Sequence, residues 1–136
     1  MEKIIIEALV EGSKEKVWDY YTNPRHIVNW NFADPSWHCP HASNELEVGG
    51  KYLARMEARD GSFGFDFEAI YTDIVVGEHL AYGLLDRQVI VTFEAKQDKT
   101  LVTVCFDPET ENPIDLQRKG WQAILDNFKK NVENSK

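Results

Sequence analysis

His38-Cys39-Pro40-His41 sets an imidazole, a thiol and a second imidazole within four residues. They lie in the stretch NWNFADPSWHCPHA (29–42), which also holds Trp30, Phe32 and Trp37. Three kinds of site suit such a set: a metal centre, an activated thiolate, or an aromatic surface beside a pocket. Zinc takes three or four nitrogen and sulfur ligands, commonly in spaced pairs. Here the candidates crowd around a proline, no second CxxC or HxxxH exists, and only an imported Glu45 or Cys105 would complete a tetrahedron. No metal is expected. A Cys39 nucleophile needs a histidine to lower its pKa and a third group to orient that histidine. His38 is adjacent, but neighbouring side chains of an extended chain point apart, and His26 or His79 would have to approach through the fold. Cys39 therefore reads as a partly buried, inert thiol, and Cys105, in an apolar strand, as core. Trp30, Phe32 and Trp37 are not needed for a helix or strand face. They either plug the end of a core or line the mouth of a pocket, with His38 as a polar contact.

The elements that must position these residues can be read from turns and periodicity. KIIIEALVEG (3–12) reads as a first strand. Ser13 is a suitable N-cap for a short helix that places Val17, Trp18 and Tyr21 on one face. Asn23-Pro24 ends it, because the residue before proline avoids the helical region, and a second helical turn follows from Pro24 towards Trp30. In KYLARMEARDGSFGFDFEAIY (51–71), Asp60-Gly61 predicts a two-residue hairpin turn. Closing it sets Ala58 opposite Phe63, Met56 opposite Phe65, Ala54 opposite Phe67 and Tyr52 opposite Ala69, all on one side. Arg55 then faces Asp66 on the other side, an exposed pair worth less than about 1 kcal/mol. The agreement of turn and alternation implies an antiparallel sheet with one covered face.

Strands are further expected over 78–86, 88–96 and 100–107, joined by short connections as a meander. The C-terminus switches period. Asn112 suits the N-cap and Pro113 the first helical position. Trp121, Ile124, Leu125, Phe128 and Val132 then form an apolar stripe, with Arg118, Lys119, Gln122, Asp126, Lys129 and Lys130 on the opposite face. The one obvious surface for that stripe is the apolar face of the sheet. Trp121 should face the sheet, with Gln117 one turn earlier as the nearest polar group. The inward Met56, Phe65 and Phe67 either pack a closed core or line a mostly apolar cavity.

With 136 residues, 43% of them hydrophobic, the chain is expected to fold as one domain with a sizeable core. A net charge of −8 disfavours nucleic acid and anionic membrane surfaces as partners. Two cysteines do not suggest a disulfide scaffold, and MEKIIIEALVEG has too few apolar residues for a signal or a span, so a cytoplasmic setting without membrane insertion is expected. No Gly-rich phosphate loop, GxSxG elbow or HExxH motif is present.

The segments VWDYYTNPRHIVNW (17–30), VGGKY (48–52), DGSFGFDFEAIY (60–71), VTVCFD (102–107) and GWQAILDNFKK (120–130) carry a family resemblance over nearly the whole chain. The chain resembles the START-like (SRPBCC) superfamily, which includes the birch-pollen allergen. Within it, the chain is similar to the branch related to the C-terminal domain of the activator of the heat-shock protein 90 ATPase. The resemblance implies an α+β helix-grip fold over 1–136: a curved antiparallel sheet of about seven strands around a long C-terminal helix, with two short helices after the first strand. It also implies a pocket between helix and sheet for lipids, sterols, polyketides or other apolar small molecules. Segment 29–42 then becomes a lid or wall. The candidate ligand-binding residues are Trp30, Phe32, Trp37, His38, Met56, Phe65, Phe67, Gln117 and Trp121. No cofactor is expected and no catalytic residue is assigned. Two alternatives stand beside ligand binding. One is a cyclase- or hydrolase-type enzyme using His38 in the pocket. The other is an interaction module acting on a heat-shock protein 90 ATPase.

Overall fold

The computed structural model describes residues 2–135. The order is β1 (Ile4–Glu11), α1 (Lys14–Thr22), α2 (Pro24–Ile27), β2 (Trp37–Asn44), β3 (Lys51–Ala58), β4 (Gly64–Val75), β5 (His79–Leu84), β6 (Arg87–Lys96), β7 (Lys99–Phe106) and α3 (Ile114–Asn134). The strands form one antiparallel sheet in the order β1-β7-β6-β5-β4-β3-β2, curled into a half-barrel around α3. This is the expected α+β helix-grip architecture.

Strict alternation builds the concave face. Along β1 the even-numbered residues from Ile4 to Val10 are buried and the odd ones exposed, and β7 repeats the pattern with Thr100, Val102, Val104 and Phe106. Leu125, Phe128 and Val132 of α3 are buried against this face. Short polar side chains stop and start the helices. Ser13 Oγ accepts the Lys16 amide at 3.2 Å, and Asn23 Oδ1 accepts the Arg25 amide at 3.0 Å with Pro24 at the first position of α2.

The β3–β4 register is the expected one, with Tyr52 opposite Ala69, Ala54 opposite Phe67, Arg55 opposite Asp66 and Met56 opposite Phe65. The turn differs. It is a five-residue connection, 59–63, closed by the Gly61 amide on the Ala58 carbonyl at 3.0 Å, with Gly61 at φ +78°. The Arg59 amide donates to the Ser36 carbonyl at 2.8 Å and its Nε to the Pro35 carbonyl at 2.9 Å, which ties the hairpin tip to the turn before β2. The pairing sum is unchanged, so the faces are unchanged.

Three further expectations need correction. Residues 37–42, read as part of an aromatic lid or wall rather than a strand, belong to edge strand β2, with a bulge between His38 and His41 that takes up Pro40. Cys105 is half-buried on the convex face between Ile5 and Ile90, because Val104 and Phe106 occupy the inward positions. The N-cap of α3 is Pro113 rather than Asn112, and it has no side-chain capping bond.

The open edge of β1 is sealed by α3. Gln122 Nε2 donates to the Glu7 carbonyl at 3.2 Å, Lys129 Nζ to the Leu9 carbonyl at 2.7 Å, and Glu133 accepts the Glu11 amide at 2.9 Å. Gln122 and Lys129 thus reach backbone groups that an edge strand would otherwise present to another chain.

Candidate functional site: a cavity between α3 and the sheet

The concave face is not filled evenly. Around Phe128 it is solid, with Tyr21 and Trp30 ring centroids 5.0 Å away and edge-on. Towards the first half of α3 and the β3–β4 hairpin a cavity of about 200 Å3 remains. Ile6, Met56, Phe65, Phe67 and Val104 line it from the sheet, and Trp121, Ile124 and Leu125 from α3. Trp121 is held in place by stacking on Phe106, with centroids 4.0 Å apart and planes 14° apart. The hairpin tip runs past the helix, so exposure rises along the inward row from 0% at Ala54 to 43% at Phe65 and 62% at Phe63. Trp37 joins them with centroids 5.8 and 6.2 Å away, leaving an aromatic rim at the cavity's open end.

Besides the indoles of Trp30 and Trp121, four residues with polar side chains belong to this lining: Tyr21 from α1, Asn31 from the turn after α2, Tyr52 from β3 and Tyr82 from β5. Asn31 Nδ2 donates to Tyr52 Oη at 2.9 Å. Burial pushes the ionisation of Tyr21, Tyr52 and Tyr82 well above the ordinary phenol range, and each of the three is raised further by other tyrosines of the group. Burial also raises Tyr71, whose ring lies 6.3 Å from that of Tyr52, to about 12. All four are therefore neutral O–H groups at ordinary pH. No residue lining the cavity carries a formal charge.

Of the nine candidates, Trp30, Met56, Phe65, Phe67 and Trp121 line the cavity, and Phe32, Trp37, His38 and Gln117 do not. Phe32 is instead tied to α3 through its backbone, where its carbonyl accepts Asn127 Nδ2 at 2.6 Å. Trp37 sits at the rim on the concave side, opposite Ala58. His38 lies on the convex side opposite Glu57, its Nε2 3.7 Å from the Glu57 carboxylate. Gln117 is buried but occupied: it accepts the Glu109 amide at 2.9 Å and donates to the Glu109 and Asn112 carbonyls at 3.0 and 2.8 Å. It fastens the 109–112 loop to the helix. Strand alternation, together with the bulge between His38 and His41, also disperses His38-Cys39-x-His41. Cys39 points into the core, its thiol pushed up by burial, while His38 and His41 face outward beside Glu57 and Arg55. Among the described residues no group of three or more His, Cys, Asp or Glu side chains is arranged to hold a metal ion.

Tyr21, Asn31, Tyr52 and Tyr82 did not stand out in the sequence as site residues. The signal that could have found them is a polar tip at an inward position: Tyr52 in its hairpin register, Tyr82 at an alternate position of its strand, and Tyr21 on the apolar helix face.

A curled antiparallel sheet gripping a C-terminal helix, with an apolar cavity between the two, defines a START-like protein of the SRPBCC superfamily. More narrowly, the chain belongs to the family described as Activator of Hsp90 ATPase homolog 1-like protein, whose model matches residues 11–133. It is similar to the solution structure of an AHSA1-like protein from Aeromonas hydrophila, at 41% identity over 96% of this chain and 92% of that one, with a TM-score of 0.91. A Cytophaga hutchinsonii protein is 43% identical over 97% of this chain and 92% of its own, with a TM-score of 0.83. A Chromobacterium violaceum protein at 18% identity, covering 98% of this chain and 99% of its own with a TM-score of 0.85, shares the fold. No match was found among curated proteins. Among the described residues no helix is long and apolar enough to cross a membrane.

Proposed function

We propose that this protein acts as one folded unit in a cytoplasmic setting and binds a small, mainly apolar molecule in the cavity between α3 and the sheet. One observation carries the reading. Protein interiors close-pack to leave few voids larger than a water molecule, yet about 200 Å3 stays open here beneath large apolar side chains and an aromatic rim. Five of the nine sequence candidates belong to this lining. The volume is below the roughly 300 to 1,000 Å3 of clefts for drug-sized ligands, so the occupant is a one- or two-ring molecule or a short chain. The enzyme alternative loses its named residue, since His38 lies across the sheet from the cavity. The chaperone alternative draws on the family description alone.

Titration with diphenylmethane, a neutral two-ring hydrocarbon, tests the reading. Wild-type protein should bind it, and Ile124→Trp, which fills the cavity, should abolish binding while leaving the urea midpoint close to wild type. A wild-type protein that takes up none at about 100 μM, or an Ile124→Trp variant that binds as before, would end the proposal.

A further inference from the structure

Tyr21, Tyr52 and Tyr82 come from three elements far apart in sequence and line one cavity. Packing holds the rings in place. Tyr21 is edge-on to Phe128 and Phe93 at 5.0 and 5.5 Å, and Tyr82 is edge-on to Tyr52 and Phe67 at 5.7 and 6.1 Å. A phenol offers one hydrogen to donate and an oxygen to accept. Tyr52 Oη already accepts from Asn31, which leaves its own hydrogen free to donate. Among the described residues no side chain or backbone carbonyl accepts from Tyr21, Tyr52 or Tyr82. Neither unpartnered oxygen, Tyr21 Oη or Tyr82 Oη, is a fully enclosed orphan, a condition found among the described residues for Asn44 Oδ1 and Asn131 Oδ1. The Tyr21 and Tyr82 hydroxyls therefore keep some open surface, on residues that line the cavity. A donor in apolar surroundings without an acceptor is costly, and an oxygen arriving with a ligand relieves that cost.

We infer that the three tyrosine hydroxyls form a donor cradle for a neutral carbonyl oxygen, so the ligand class is an uncharged apolar ketone, ester or amide rather than a hydrocarbon or a carboxylate. This rests on the cavity reading above. The uncharged class follows from the lining: with no cation to meet it, a carboxylate would lose its water for neutral donors alone. Burial also keeps the tyrosines protonated, so each remains a donor at ordinary pH.

Benzophenone and diphenylmethane differ only in the carbonyl, and diphenylacetate adds a charge at similar size. Calorimetric titration of the full chain should show benzophenone binding about tenfold or more tighter than diphenylmethane, with diphenylacetate the weakest. Tyr52→Phe combined with Tyr82→Phe removes two oxygens and little volume. It should bring the benzophenone-to-diphenylmethane ratio towards one, and a ratio as large as in wild type would overturn the donor cradle. The benzophenone carbonyl stretch should lie at lower frequency in the wild-type complex than in the variant complex. If both probes bind wild type equally, the donor cradle falls and the cavity reading stands. If neither binds, both fall. If diphenylacetate binds tightest, the uncharged class is wrong.

Discussion

At the scale of the residue, burial alone does not separate a structural polar group from one available to a ligand. Gln117 and Asn31 are both buried, but Gln117 makes three hydrogen bonds to the 109–112 loop, whereas Asn31 holds a tyrosine at the cavity. Gln117→Leu should leave three backbone groups without their partner and lower stability by about 1 to 2 kcal/mol. Urea denaturation measures the loss, and diphenylmethane affinity should not change. A normal urea midpoint with lost binding would make Gln117 a ligand residue instead. Gln117 was legible as polar and near Trp121. Its partners were not, because they depend on the path of the loop before the helix. Likewise His38 looked like a pocket residue by its aromatic neighbours, Trp30, Phe32 and Trp37. Strand alternation sends it to the other side, and that could not be applied until 37–44 was known to be a strand.

At the scale of the element, turn chemistry and period carried most of the information. Asp60-Gly61 with the alternation of 51–71 yielded the register, and the apolar stripe from Trp121 to Val132 yielded the face of α3. Segment 37–44 hid its strand character behind a central proline and an irregular burial pattern. Two glycines make opposite predictions. Gly61 has φ +78° and no atom within 4 Å of an added Cβ, so Gly61→Ala is penalised by conformation alone, by about 1 kcal/mol. Gly120 lies inside α3 with equally open space around an added Cβ and without a positive φ, so Gly120→Ala should stabilise by about 0.5 to 1 kcal/mol. Thermal unfolding of both variants checks the pair. Equal signs would show that one of the two backbone assignments is wrong.

At the scale of the whole molecule, the first strand pairs with the last and α3 docks on the first, so the two ends of the chain share one core. Far-UV circular dichroism and tryptophan fluorescence should therefore report coincident urea transitions. Separate midpoints would mean that the helix undocks before the sheet opens. Asp107, after β7, is part of the same closure. Its carboxylate accepts from Lys3 before β1 and from the Gln88 amide of β6, and the Lys3 bond, then the Gln88 bond, hold its pKa below the ordinary carboxylate range. A carboxylate depressed in the folded state contributes stability above its unfolded pKa and loses it as pH falls through the folded value. Asp107→Asn should therefore lower the urea midpoint at neutral pH and narrow the gap between neutral and acidic conditions. An unchanged acid limb would show that Asp107 does not contribute to it.

The two borders of the sheet are finished by unlike means: amide and ammonium groups of α3 over one, and a proline kink set into the other. Lateral growth by strand addition is thereby hindered in both directions. An incoming molecule is left with the hollow beneath the helix, whose doorway is the aromatic hairpin tip.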